Sequence, residues 1–203
     1  MRVLLTGFQP FGKVEVNPSQ LIVEHFQAKQ HDNIVALVLP TVYRAAGDGI
    51  RRAIFDFQPA AVISLGVAQS RHTISLERAA LNLDDASIAD NAGVIASGEL
   101  IAEDGPAAYW STLPLRAMYE ALEAHHIPVS MSNHAGAYIC NHAFYVARHT
   151  LECSGISIPC GFIHIPDIAK PDDSNSKGLP LDMMIIAVEI CIGVVQETLK
   201  VES

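Results

Sequence analysis

The chain has 203 residues and a formal net charge of −9 at pH 7, with 13 Lys and Arg against 22 Asp and Glu. Its few basic residues are scattered, which excludes a nucleic-acid partner, because phosphate binding needs clustered Lys and Arg. Half the residues are apolar and 17% are charged, below the usual quarter or so. That balance predicts a single domain over 1–203 with part of its surface buried in a homo-oligomer.

The opening string MRVLLTGFQPFG carries one positive charge and too short an aliphatic run for a secretory segment, so a cytoplasmic location is expected. Val3–Thr6 reads as a strand. Phe8 and Phe11 follow it around Pro10, where two rings could cap a core or form a flat slot for a small apolar ring. Gly7 to Lys13 resembles a phosphate loop, but Val14 stands where Ser or Thr is required, and that reading is rejected. Asn17 as N-cap, Pro18 at the first helical position and Gln20 as capping-box partner start a helix over Pro18–Gln27.

A strand over Ile34–Leu39, a helix over Ala45–Phe57 and a strand over Ala61–Leu65 come next. Thr73–Asn82 alternates and predicts an antiparallel excursion, and Asp84–Tyr109 reads as a long loop. Ser111 and Thr112 supply a polar cap region for a helix over Pro114–His125. A strand at Val129–Ser132, a helix at Ile139–Leu151, a strand at Gly161–His164 and a helix at Leu181–Leu199 complete the chain. The apolar stretch Met183–Val195 is broken by Glu189 and falls short of the roughly 20 residues that span a bilayer, so no membrane partner is expected. Strand-length apolar runs alternating with helices predict an α/β fold, a sheet with helices on both faces.

Four cysteines without C-x-x-C spacing predict reduced thiols. His134, Cys140 and His142 could in principle ligate a metal, but no closed tetrahedral set has familiar spacing. Cys140 stands at a helix start, where the partial positive charge favours a thiolate and backbone N–H groups can hold an oxyanion. The preceding loop, His134-Ala-Gly136-Ala, allows close backbone approach. His164 ends a strand. A helix-start thiol and a strand-end imidazole are two parts of a nucleophile–base pair, which a third group should orient. Asp167 is near in sequence and Glu77 remote, with a surface ion pair to Arg71 or Arg78 as the plainer role for Glu77. Local reasoning leaves that choice open. In open α/β sheets sites form beyond the carboxyl ends of strands, which favours one common site for Phe8, Cys140 and His164.

The strings LLTGFQPFGKVEVNPS, ISLERAALNLDDASIADN, GPAAYWSTLP, SNHAGAYICNH and GFIHIP together resemble the pyroglutamyl peptidases, cysteine peptidases that remove an N-terminal 5-oxoproline. The resemblance spans nearly the whole chain. It implies Cys140 as nucleophile, His164 as base and acid, and Glu77 rather than Asp167 as the orienting carboxylate. Phe8, Phe11 and the position of Val67 would hold the pyroglutamyl ring. It further implies a three-layer α/β/α sandwich around a mixed, mostly parallel sheet, peptides with N-terminal pyroglutamate as partners, no metal or cofactor, and assembly as a homotetramer or dimer. The chain departs from the family pattern at several positions. Val67 replaces a substrate-binding Gln and Ser87 an Arg, while His134 and Asp167 replace Thr and Tyr. These departures leave two other readings: an amidase acting on another small lactam, and a lactam-binding homologue without catalysis.

Overall fold

A computed structural model of the chain describes residues 1–12, 14–29, 31–169 and 178–201; Lys13 of the rejected phosphate loop lies outside them. The elements in order are β1 (Val3–Phe8), α1 (Pro18–Ala28), β2 (Ile34–Leu39), α2 (Tyr43–Phe57), β3 (Ala61–Val67) and β4 (Ile74–Glu77). Four short strands follow: β5 (Ala79–Leu81), β6 (Asp84–Asp85), β7 (Ser97–Glu99) and β8 (Ala108–Trp110). Then come α3 (Leu115–Ala124), β9 (Val129–Ser132), α4 (Ile139–Cys153), β10 (Cys160–Ile165) and α5 (Leu181–Val201). The main sheet has the order β2-β1-β3-β10-β4-β9. Its first four strands are parallel, β4 is antiparallel to β10, and β9 is parallel to β4.

Two apolar cores lie on the two sheet faces. Val3, Leu5, Ile63, Leu65, Ile163 and Ile165 pack with residues of α1, α3 and α5. Leu4, Phe8, Val62 and Phe162 pack with α2 and α4. Side chains alternate along a strand, so the same parity that sends Phe162 towards α4 sends His164 there, and Phe8 and Gly66 share that face. On β4, Ile74 and Leu76 enter the first core, which turns Ser75 and Glu77 towards the α4 side. The expected α/β/α sandwich around a mixed sheet is what forms.

The alternating stretch Thr73–Asn82 forms the antiparallel pairings expected of it: β4, an internal strand whose polar face is buried within the protein, pairs with β10, and β5 pairs with β8. Three other local expectations fail for physical reasons. The region 84–109 is partly ordered into a β6–β7 ladder and the start of β8. Asn17 does cap α1, accepting from Ser19 N at 3.0 Å, but Gln20 turns to Glu24 (Nε2 to Oε1, 2.6 Å), so the capping box is not closed. At α3 Pro114 occupies the cap position without a side-chain bond. Thr112 instead accepts from Cys160 N at 2.8 Å.

Candidate active site

Only part of the site lies at one common sheet edge. Phe8, Val67 and His164 lie at the carboxyl ends of parallel strands, but β4 and β9 run the other way. Glu77 and Cys140 therefore arrive by other routes. His164 is in register with Ser75 and Ile163 with Leu76, which leaves Glu77 diagonal to His164, within reach of a long side chain. Glu77 is fully buried, and its Oε1 lies 2.7 Å from His164 Nδ1. An ionised carboxylate only accepts, so Nδ1 carries the hydrogen, and in the neutral ring Nε2 is then the nitrogen with the lone pair. Asp167, the nearer carboxylate in sequence, instead accepts from Gln69 Nε2 at 3.3 Å.

Cys140 reaches the site through the loop after β9. Gly136 has φ +84° with open space around its Cα, so this glycine serves a backbone conformation that other residues rarely adopt, not the close approach expected of it. The loop delivers α4 with Tyr138 as N-cap and no side-chain cap bond. The first-turn N–H groups beside Cys140 are thus not used up by a capping side chain, as an oxyanion would need. Buried Asn141 fixes the helix start: its Oδ1 accepts from Leu81 N (2.8 Å), and its Nδ2 donates to the carbonyls of Leu81 and Leu83 (both 2.9 Å). The thiol lies over β3, and a Cβ on Gly66 would come 2.6 Å from Cys140 Sγ and 2.8 Å from the Phe162 ring.

Cys140 and His164 both line a cavity of about 130 Å³ walled by Phe8, Phe11, Val67 and Tyr138. An apolar cavity of about 150 Å³ holds one benzene-sized ring, so this one suits a single small ring. Five of the six expected site residues line it, and Glu77 stands behind His164. Sequence reasoning missed Tyr138, whose ring centroid is 5.8 Å from that of Phe11 and whose hydroxyl donates to Ala89 O at 3.0 Å. It also read Asn17 only as a cap, although that side chain lines the cavity and donates to Gln9 O at 3.2 Å. No local sequence pattern distinguishes either residue.

The family model for pyroglutamyl peptidase matches residues 1–198. The chain belongs to that family. Among relatives, it is 41% identical to a pyrrolidone-carboxylate peptidase of Oceanobacillus iheyensis over 195 residues, 95% of this chain and 98% of the relative. A pyrrolidone carboxyl peptidase of Pyrococcus furiosus superposes with TM-score 0.92 at 33% identity, covering 98% of this chain and 100% of the other. Pyroglutamyl peptidase I of Bacillus amyloliquefaciens gives 0.88 at 38% identity, with 96% of each covered. Of the departures from the family pattern, Val67 is a buried part of the cavity wall and Ser87 lies exposed on the loop after β6.

Electrostatics amend one expectation about this family member. Burial, followed by the charge of Glu77, pushes the Cys140 thiol up to about 12, against the smaller pull of its own backbone N–H and of Arg71. The helix N-terminus is therefore outweighed, and the resting sulfur is a neutral thiol. Burial also works to raise the Glu77 carboxyl, but His164, a hydrogen bond from Ser132 and the smaller pull of the Arg71 charge together overcome it and hold the group below its ordinary value. In a Cys153→Ser variant, which removes the exposed thiol, iodoacetamide should modify Cys140 about tenfold faster per pH unit from about pH 7 to 9, without a plateau. A plateau in that window would mean a preformed thiolate.

Proposed function

We propose that the protein removes N-terminal pyroglutamate from peptides, with Cys140 as nucleophile, His164 as general base and then acid, and Glu77 as the group that orients His164. The observation that carries this reading is one ring-sized apolar cavity bearing both the thiol and an imidazole whose far nitrogen is held by a buried carboxylate. Family membership supports the substrate.

Because the resting thiol is neutral, its proton passes to His164 Nε2 as Sγ bonds to the carbonyl carbon that joins the 5-oxoprolyl ring to the next residue. The oxyanion is met by N–H groups at the α4 start. As the tetrahedral species collapses, the C–N bond breaks and His164 returns the proton to the departing amine. The thioester that remains is cleaved by water, which His164 deprotonates in turn. An uncharged lactam needs an apolar slot and backbone partners, not a carboxylate to hold an ammonium group. Phe8, Phe11 and Val67 supply that slot, and Val67 can contribute only backbone polar groups where a Gln would add an amide.

The test is amine release from a pyroglutamyl arylamide beside the prolyl arylamide. Release from the first alone is expected, since the charged proline lacks the ring carbonyl and leaves polar groups of the site unpaired. Turnover of another lactam amide in preference to both would overturn the substrate assignment. A cytoplasmic, homo-oligomeric enzyme, dimer or tetramer, completes the reading. It is supported by the low charged fraction of 17% and by exposed apolar side chains such as Phe55, Trp110 and Ile186. Among the described residues, no helix is long and apolar enough to cross a membrane.

A further inference from the structure

Arg71, in the connection between β3 and β4, touches the carboxylate behind His164. Its Nη1 lies 2.6 Å from Glu77 Oε1, the same oxygen that takes His164 Nδ1–H at 2.7 Å. The guanidinium side chain is 29% exposed and the carboxylate fully buried. Arg78, next to Glu77 in sequence, is turned away and donates to Asn133 Oδ1 at 2.9 Å. The two arginines offered as plain ion-pair partners for Glu77 thus have separate fates.

We infer that Arg71 is a positioning residue for the His164 base: by sharing Glu77 Oε1 it balances the buried carboxylate and keeps the imidazole neutral and free to accept the Cys140 proton. This rests on the reading of Cys140, His164 and Glu77 as the acting groups. A buried carboxylate with an imidazole as its sole ionisable partner would draw a proton onto that imidazole, since a nearby opposite charge favours the charged form; the Ser132 hydrogen bond to Glu77 brings no charge to offset this. An imidazolium cannot act as a base. With Arg71 bound to the same oxygen, protonating His164 would set two cations on one carboxylate, which disfavours it. The Arg71 charge also bears on the Cys140 thiol, lowering it against burial.

Among the described residues, the other groups around His164 do not supply this balance. Cys140 is a neutral thiol, and Tyr138 across the cavity is raised to about 12 by burial and by the Asp90 charge, so it too is neutral. In the flanking loops, Asp167 is engaged by Gln69, and His134 accepts from Gly136 N–H at 3.1 Å.

The test compares Arg71→Met, Arg71→Lys and Arg78→Met with the parent chain. Protonation of the His164 ring is followed by histidine ring NMR, assigned by difference against His164→Ala, alongside the acid limb of kcat/KM on a pyroglutamyl arylamide. In Arg71→Met the ring midpoint and the acid limb should both move to higher pH by about one unit. Arg71→Lys should keep both close to the parent, and Arg78→Met should move neither. An unmoved or lowered midpoint in folded Arg71→Met overturns the inference, as does a Lys variant that shifts as far as Met. If Arg71→Met does not fold, Arg71→Gln carries the same expectation, and an unmoved or lowered midpoint in folded Arg71→Gln overturns the inference. The NMR midpoint needs no substrate. If the parent fails to cleave pyroglutamyl arylamide, the substrate reading falls while the Arg71 result stands or falls by itself.

Discussion

Cys140→Ala is expected to lower release from a pyroglutamyl arylamide by at least about 10⁴-fold, because no acyl-enzyme can form without the sulfur. The fold should survive. Cys140 is only partly buried, and its helix start is fixed by the neighbouring Asn141 through three hydrogen bonds to the strand-side backbone. The ring walls, Phe8, Phe11, Val67 and Tyr138, are untouched by the change. Free pyroglutamate should therefore still bind, which calorimetry can measure on the inactive variant. Intact binding with lost turnover identifies the sulfur as the reacting atom. Residual release above background would place the nucleophile elsewhere.

Gly66→Ala should come next in size, lowering kcat about 10²-fold with little change in KM, since a displacement of about 1 Å at the reacting group can cost that much. The added methyl would sit 2.6 Å from Cys140 Sγ and 2.8 Å from the Phe162 ring. Neither neighbour can yield freely. The thiol is held by a two-bond side chain on an anchored helix, and Phe162 is fully buried and packed against Phe144 and His164. Overpacking of this kind typically costs about 1–3 kcal/mol of stability, so the melting temperature should fall while the protein still folds. A folded variant whose kcat stays within about threefold of the parent would show that the sulfur need not sit where it does.

Much of this is legible in the sequence. The apolar run ending in His164 reads as a buried strand, and its period of two fixes which face the imidazole shares with Phe162. Asn17-Pro18 marks the start of α1, and the helix start at Ile139 places Cys140 in the first turn. What could not be read depends on non-local pairing. The direction of β4 and β9 relative to β10 is set by packing across the sheet. The polar alternation of Ser75 and Glu77 looks the same whether the polar face meets water or lines an internal site. Arg71 and Arg78 flank the same stretch with the same chemistry, and the path of the chain before β4 decides between them. The protonation state of Cys140 is hidden from the sequence for a related reason: the helix terminus is a local feature, while the burial that outweighs it is assembled from β3, β10 and the loop after β9.

The junction between β10 and β4 joins the parallel part of the main sheet to its reversed pair of strands, and it is held by a register of only two residue pairs. The hydrogen-bonded cluster of Arg71, Glu77 and His164 spans this same seam. It works as a staple as well as a tool, fastening two sections of a β-layer at the place where backbone pairing is thinnest. A catalytic assay on this protein therefore also reports whether the two sections are still joined.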